Sequence, residues 1–336
     1  MMKMLRFMLL LCLSVAPSTK AKPCSIPEPP KNSTVVTITN DSCTTLESKP
    51  PCNTTQHITE LHAPHSKIET LKPGSFTCLK KLKTLYLDNS LITTIQPETF
   101  SNLTNLEILD LGHNSITQIE ENTFFDLKSL IDLKLNNNGL RKIADGAFDE
   151  LKLANLELDY NKLEEIPLFK KPSHIISLDI SYNPVKKIDA ETLGKHYELE
   201  SLHMKKTDIR ELRNGIFINN TKLQILDLQN TPIDSLPGAD LESLRKLFIK
   251  GATELWEIPI ISFKSLIMAS LNYPFHCCLI RAEYDSYGEV ATQPTHPNTG
   301  PTIKPCVKKH CNYNYRRPGT TATTDPFHPL GVTKHQ

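Results

Sequence analysis

Histidine and cysteine residues gather at two places in the sequence, and both places could in principle hold a metal ion. Near the front, His62 and His65 flank an Ala-Pro pair, which is a weak metal-binding pattern on its own. The second cluster, near the C-terminus, comprises His276, Cys277, Cys278, Cys306, His310 and Cys311. Thiolates and imidazoles suit zinc, but in an exported chain such cysteines form disulfides, and we favour that interpretation. We therefore expect no metal and no cofactor.

Motifs of the common catalytic sites are missing from the sequence as well. There is no nucleophile elbow, phosphate-binding loop or metalloprotease helix. The chain is therefore not expected to be an enzyme. A formal net charge of +1 at pH 7 also argues against a general nucleic-acid binder.

The first 21 residues have the features of a secretory signal peptide. Lys3 and Arg6 precede an apolar run at residues 7–15, and small residues follow up to Ala21, with cleavage expected near Ala16 or Ala21. The run is too short to span a membrane as a helix, and no later stretch approaches the roughly 20 apolar residues that a span requires. We therefore expect a secreted, extracellular chain with no membrane span of its own.

Removal of the signal peptide takes Cys12 with it and leaves eight of the nine cysteines, an even number suited to disulfides. They form two groups of four, and none lies between them. The groups are Cys24, Cys43, Cys52 and Cys78, then Cys277, Cys278, Cys306 and Cys311. We expect Cys24 to pair with Cys43 and Cys52 with Cys78, although sequence leaves the connectivity open. Five sequons for N-linked glycosylation fit the same compartment, and roughly half are expected to be occupied. They begin at Asn32, Asn40, Asn53, Asn102 and Asn219.

The elements that would position a binding site are copies of one pattern, leucine-x-x-leucine-x-leucine-x-x-asparagine-x-aliphatic. One copy contains Leu106, Leu109, Leu111, Asn114 and Ile116, and the next contains Leu130, Leu133, Leu135, Asn138 and Leu140. A 24-residue period of this kind is typical of leucine-rich repeats. Each unit supplies a short strand with leucines inward, and the asparagine amide is expected to satisfy backbone groups where the chain turns. Phenylalanines recurring at the same period fill the far side of the core, at Phe76, Phe100, Phe124, Phe148 and Phe217.

These units predict an α/β leucine-rich-repeat solenoid, with a curved parallel sheet on its concave face and an irregular or short-helical convex side. Disulfide-bonded caps are expected to cover its ends. The units begin at Ile58, Leu82, Leu106, Leu130, Leu153, Ile175, Leu199, Leu223, Leu244 and Leu266. We assign residues 1–21 to the signal peptide, 22–57 to an N-terminal cysteine cap, 58–274 to about ten repeats, 275–312 to a cysteine box with a short hinge, and 313–336 to a disordered Thr- and Pro-rich tail.

Residues at the outward strand positions are the candidates for ligand binding, because the inward positions and asparagines are scaffold. They are acidic in the middle of the array and basic in its C-terminal third, an arrangement that suits a protein ligand with complementary patches. The candidates are Tyr86, Asp88, Asp110, Asp132, Lys134, Glu157, Asp159, Asp179, His203, Lys205, Asp227, Lys246, Phe248 and Lys250.

Residues 231–278 carry a more specific signal. They include the run ASLNYPFHCC, in which Tyr273, Pro274, His276, Cys277 and Cys278 form a Tyr-Pro-x-His-Cys-Cys pattern. This segment resembles the junction between the last repeats and the cysteine box of the glycoprotein hormone receptors, the leucine-rich-repeat G-protein-coupled receptors for thyrotropin, follitropin and lutropin. The resemblance covers roughly residues 55 to 280.

The resemblance implies that the concave strands bind a cystine-knot hormone, and that a hinge relays binding to a seven-helix domain. It also implies that the paired cysteines bond to cysteines at the far end of the hinge, for which Cys306 and Cys311 are candidates. Because no seven-helix segment follows, we expect a truncated receptor or a soluble decoy, with a full-length receptor as a further partner. In a longer receptor, this part would lie at the outer face of the plasma membrane.

Two alternatives remain open. The first is the ectodomain of an R-spondin or relaxin type of receptor, which shares the architecture. The second is a secreted leucine-rich-repeat adaptor that binds matrix or microbial ligands, for which the Tyr-Pro-x-His-Cys-Cys pattern is not expected.

Overall fold

The computed structural model describes residues 23–24, 26–27, 33–38, 44–46, 55–256, 258–259 and 263–272. Several predictions fall outside these residues: the signal peptide, the hinge and the tail, together with Cys43, Cys52, Cys277, Cys278, Cys306, Cys311, Asn32, Asn40 and Asn53. The chain divides into two compact units, residues 1–152 and 153–336, which are described separately.

Unit one contains eleven strands among its described residues. They are β1 (Pro23–Cys24), β2 (Val35–Thr37), β3 (Thr45–Leu46), β4 (Glu60–His62), β5 (Thr70–Leu71), β6 (Thr84–Tyr86), β7 (Thr94–Ile95), β8 (Ile108–Asp110), β9 (Gln118–Ile119), β10 (Asp132–Lys134) and β11 (Lys142–Ile143). The three-residue strands β2, β4, β6, β8 and β10 pair in parallel, in that order, as its main sheet. The two-residue strands form smaller parallel sheets, β1-β3-β5-β7 and β9-β11.

Unit two has a main sheet of six parallel strands within its described part. They are β12 (Asn155–Glu157), β13 (Ser177–Asp179), β14 (Ser201–His203), β15 (Ile225–Asp227), β16 (Lys246–Phe248) and β17 (Met268–Ser270), each paired with the next. A single turn of helix, Ala190–Leu193, lies between β13 and β14. No helix in the described residues is long and apolar enough to cross a membrane.

Burial follows the repeat pattern, as the sequence predicts. The central leucine of each of the three-residue strands β4, β6, β8 and β10 is at most 1% exposed, whereas its two neighbours are half-buried. Partners align residue by residue, so that Leu109 lies between Leu85 and Leu133. Each buried leucine side chain contributes roughly 2 kcal/mol, which makes this column a main source of stability.

The asparagines make the contacts predicted for them. Asn114 Nδ2 donates to the carbonyls of Leu87, Leu111 and Gly112 at 2.9, 3.0 and 3.1 Å, and its Oδ1 accepts from the amide of Ile92 at 3.0 Å. Backbone groups that lack sheet partners are thereby satisfied across two turns. Asn138 in unit one and Asn183 in unit two repeat the arrangement.

The predicted phenylalanine column is confirmed in unit one. The rings of Phe76, Phe100, Phe124 and Phe148 stack with centroids 5.9 to 6.0 Å apart, and all four are buried. In unit two the predicted Phe217 is buried, and Phe169 meets the ring of His196 edge-on, with ring centroids 4.6 Å apart.

A row of left-handed residues follows the strands of both main sheets. In unit one Asn89, His113 and Asn137 have φ of 53°, 53° and 51°. In unit two the row consists of Tyr160, Tyr182, Lys206 and Asn230, with φ of 53°, 56°, 52° and 56°. Asparagine tolerates this conformation at low cost, but a bulky tyrosine is unusual there.

Candidate ligand-binding surface

The outward side chains of each main sheet line up because the strands are in register. We call the first and third residues of each strand, with the residue two positions after the strand, the strand face. Charged and polar side chains dominate the strand face, and most are half-buried. Neighbouring strands hold these side chains rigidly, which limits the entropy lost when a ligand binds.

In unit one the strand face begins with an aromatic and acidic group. His62 Nε2 lies 3.3 Å from Glu60 Oε2, and the His62 ring packs against that of Tyr86 with centroids 4.8 Å apart. Further along, Asp110 Oδ1 accepts from the amide of Gly112 at 2.9 Å, and burial raises the pKa of the Asp110 carboxyl. The sequence candidates Asp132 and Lys134 are on the next strand, β10.

In unit two the strand face is mainly acidic at β12 and β13 and carries lysines from β14 to β16, with Asp227 on β15 among them. Glu157 and Asp179 lie on β12 and β13, whereas Lys246 lies on β16. Asp159 and Lys250 extend the same trend in the turns that follow β12 and β16. Such an arrangement orients a ligand that carries complementary patches.

Two aspartates of unit two also support the backbone, which the sequence alone did not reveal. Asp179 Oδ1 accepts from the amide of Ser181 at 2.8 Å, and Asp227 Oδ1 accepts from the amide of Gln229 at 2.9 Å. In both residues one carboxylate oxygen therefore closes the turn after the strand. The second oxygen of Asp227 lies 4.0 Å from His203 Nδ1 on the neighbouring strand.

His203 lies at the centre of the unit-two strand face. Its partners across the sheet are Asp179 on β13 and Asp227 on β15. His203 Nε2 is 2.8 Å from Ser201 Oγ, and His203 Nδ1 is 4.0 Å from Asp227 Oδ2. The neighbouring Asp227 carboxylate raises the pKa of His203, with a further contribution from Asp179.

The grouping of Ser201, His203 and Asp227 contains the residue types of a hydrolase triad, but its geometry does not fit that role. A separation of 4.0 Å is too long for the hydrogen bond that orients a catalytic histidine. The amide of Ser201 donates to the carbonyl of Ile176 at 3.0 Å and cannot serve an oxyanion. The group is therefore suited to polar recognition.

Four sequence candidates lie in turns and not on strands, which corrects the prediction that all were strand residues. Asp88, Asp159, Lys205 and Lys250 each come two residues after a strand ends. The chain leaves the ladder one residue early because the left-handed residue that follows already bends the backbone. The strand β16 that precedes Lys250 pairs with β17, the strand of the repeat that begins at Leu266.

A tyrosine pair was missed by the sequence reasoning. Tyr160 and Tyr182 stack almost parallel, with ring centroids 4.0 Å apart and planes 12° apart. Lys205 Nζ and Lys206 Nζ lie 5.7 and 5.4 Å from the centroid of the Tyr182 ring. The available signal was an aromatic residue directly before the repeat asparagine in two consecutive units.

Two further groups of predicted residues are partly described. Cys78 is disulfide-bonded and 6% exposed, while its pairing with Cys52 stays a prediction. The sequon residues Asn102 and Asn219 are both exposed.

Comparison with known proteins supports this description. The profile of the leucine rich repeat family matches residues 56–116 and 104–163. A probable glycoprotein hormone G-protein coupled receptor of Anthopleura elegantissima is 28% identical over 210 residues, covering 54% of this chain and 22% of that protein. The follicle-stimulating hormone receptor of Cavia porcellus is 40% identical over 83 residues, covering 24% of this chain and 12% of that receptor.

Among solved structures, a TLR13–ssRNA13 complex is similar in fold, with a TM-score of 0.56 and 25% identity over 65% of this chain and 37% of that chain. The chain is therefore a leucine-rich-repeat solenoid whose repeats resemble those of glycoprotein hormone receptor ectodomains. It spans less than a quarter of the length of either receptor that it matches.

Proposed function

We propose that this chain binds a secreted protein hormone of the cystine-knot class outside the cell, through its strand face and without catalysis. Extracellular ligand binding is what the likeness to hormone receptor ectodomains suggests. That the ligand is a cystine-knot hormone is a more specific part of the proposal. It rests on the same likeness together with the charge pattern of unit two.

The observation that carries the proposal is the polarised strand face of unit two. Its acidic end carries Glu157, Asp159 and Asp179, and its basic end carries Lys246 and Lys250. Glu157, Asp179 and Lys246 lie on strands, and Asp159 and Lys250 lie in the turns that follow β12 and β16. The register of these strands is fixed by buried leucines, so the spacing of the charges does not depend on a ligand. A preorganised charge pattern favours fast, specific association with a protein of opposite pattern.

The central part of this strand face supports the same role. His203 and Asp227 have side chains that are 32% and 15% exposed, so their interactions are only partly screened by water. Phe248 lies beside Asp227 on the next strand and provides apolar area next to the charges. Interfaces combine such an apolar contact with surrounding polar groups.

Binding assays with the purified, glycosylated chain test the proposal. We expect saturable binding to at least one heterodimeric cystine-knot hormone, weakening as salt is raised from 0.15 to 0.5 M, conditions over which charge pairs are increasingly screened. R-spondin, relaxin, collagen and microbial cell walls serve as parallel ligands. Binding to R-spondin or relaxin alone would assign the other receptor type, and retention only on collagen or cell walls would overturn the proposal in favour of a matrix or microbial adaptor.

A further inference from the structure

We propose that Tyr160, Tyr182, Lys205 and Lys206, here called the Tyr–Lys cluster, form a subsite for one carboxylate of an acidic side chain on the protein ligand. The cluster lies in unit two, in the turns that follow β12, β13 and β14. It adjoins the strand face, since Lys205 belongs to both. Assigning the carboxylate to a hormone rests on the proposed function, whereas the presence of an anion subsite does not.

Backbone conformation is the first argument for a dedicated site. Tyr160 and Tyr182 occupy left-handed positions where Asn89, Asn137 and Asn230 stand in other repeats. Asparagine adopts this conformation at a lower cost than tyrosine. Two adjacent repeats therefore retain a strained aromatic residue, and such strain is concentrated at functional sites.

Convergence of charge on one aromatic pair is the second argument. Lys205 Nζ lies 5.7 Å from the centroid of the Tyr182 ring, which stacks on Tyr160, and the neighbouring Tyr160 hydroxyl and Lys205 ammonium lower the pKa of Tyr182. Lys206 brings a second ammonium to the same ring, with its Nζ 5.4 Å from the centroid. Two ammonium groups therefore converge on the Tyr182 side of a stacked tyrosine pair.

The third argument is that these cations have no carboxylate partner. Several lysines elsewhere are paired with the glutamate of a neighbouring repeat, as Lys83 is with Glu107 and Lys186 with Glu164, at 2.7 and 2.9 Å. Neither Lys205 nor Lys206 forms an ion pair with any carboxylate in the part of the chain that the structure describes. Two unpaired like charges held beside one ring repel each other, and an added anion relieves that repulsion.

The surroundings limit the size of the ligand group. Asp159 and Asp179 act electrostatically on Tyr160. A sulfated polysaccharide presents many charges over a long stretch, so these carboxylates would repel it strongly. A single carboxylate placed over Lys205 and Lys206 carries one charge and is repelled less, which favours an acidic side chain of a folded protein.

The test uses the whole purified chain with its lysines reductively ¹³C-methylated, which preserves their charge. N-acetyl-glutamate methylamide is the probe, and the glutamine analogue is its neutral control. We expect saturable shifts of the Lys205 and Lys206 signals with the glutamate probe only. The Lys205→Gln/Lys206→Gln variant lacks these signals, so its binding is followed by line broadening of the probe's own NMR signals and should be about tenfold weaker. The matched control, Lys186→Gln, removes a lysine that is already paired and should bind the probe unchanged.

Replacement of both tyrosines separates a binding role from a structural one. Tyr160→Asn/Tyr182→Asn restores the residue used at this position elsewhere, so we expect an unchanged or higher Tm with at least threefold weaker probe binding. A lower Tm with unchanged probe binding would show that the pair is only structural and would overturn the proposal. Equal shifts at all exposed lysines would do the same.

Two further titrations, with inorganic sulfate and with a heparin oligosaccharide, test whether the anion comes from another source. Inorganic sulfate is expected to bind no more tightly than the glutamate probe, and a heparin oligosaccharide is expected not to bind at the cluster. If sulfate or heparin bound tenfold more tightly than the glutamate probe, and this binding were lost in the double lysine variant, that anion and not an acidic side chain would be assigned as the ligand of the cluster. Because no hormone enters this titration, its failure is distinguishable from a failure of hormone binding.

Discussion

His203 and Asp227 lie side by side on neighbouring strands, with His203 Nδ1 4.0 Å from Asp227 Oδ2. Asp179 flanks the same histidine from the other strand. The centre of the unit-two strand face is therefore an imidazole between two carboxylates, and its net charge changes with the protonation of one residue.

This arrangement predicts the titration of His203. An NMR titration of the folded chain should place the pKa of His203 above its ordinary value of 6.5, and Asp227→Asn should lower it while keeping an acceptor for the Gln229 amide. A raised pKa means that the contribution to stability is complete below pH 6.5 and is lost as pH rises through the folded-state value. An unchanged pKa in Asp227→Asn would show that Asp227 does not stabilise the imidazolium.

The hydrogen bonds of Asn114 predict that its replacement by alanine lowers the stability of the chain substantially. Asn114→Ala removes the partner of the Ile92 amide and of the Leu87 carbonyl, and one of two donors to the carbonyls of Leu111 and Gly112. We therefore expect a loss of about 3 kcal/mol in the free energy of unfolding measured with urea. Asn105→Ala is the matched control, because Asn105 is exposed and bonds only the Lys80 carbonyl, at 2.8 Å. Equal losses in the two variants would contradict the role given to Asn114.

His196 predicts an opposite dependence of stability on pH. Its ring is fully buried against Phe169, with Nδ1 on the Ser173 hydroxyl, and burial lowers the pKa of His196 to about 4. Between about pH 6.5 and 4 the unfolded chain binds the extra proton, so stability falls as pH falls, by at most about 1.4 kcal/mol per pH unit. Urea unfolding at pH 7 and pH 5 should show a smaller loss in His196→Leu than in the parent chain, and equal losses would rule out this contribution.

Glycosylation can be tested without disturbing the left-handed residue Asn102, which has φ of 67°. Thr104→Ala removes the sequon and keeps Asn102, so mass spectrometry of the secreted chain should show the loss of one glycan with little change in Tm. Thr221→Ala makes the same test at Asn219, whose Nδ2 donates to the Gly194 carbonyl at 3.3 Å. An unmodified Asn102 in the parent chain would refute the assignment.

The regular features of this fold could be predicted from the sequence because each repeats at the period of the array. Asn114 and the Phe76 to Phe148 column follow directly from the 24-residue spacing, since stacked identical units place identical residues in contact. The same logic placed the outward candidates on one face of the strands.

Other features depend on backbone conformation, which the repeat pattern does not encode. Lys205 and Asp159 were assigned to strands, but the left-handed residue that follows each one ends the strand earlier. The Tyr160–Tyr182 stack arises from the same conformation. The hydrogen bond from the Ser181 amide to Asp179 could not be predicted either. From sequence alone, an aspartate that points outward from a strand is equally consistent with a contact to the ligand.

The most direct test of the central claim is the association rate of a cystine-knot hormone with charge-neutralised chains. Glu157→Gln/Asp159→Asn removes two charges from the strand face without creating a sequon, whereas Glu164→Gln/Glu211→Gln removes two exposed charges that lie outside it. We predict an association rate changed about tenfold at low salt in the first variant and unchanged in the second, with the difference fading as salt is raised. Equal rates in both variants, with binding retained, would contradict recognition through the strand face.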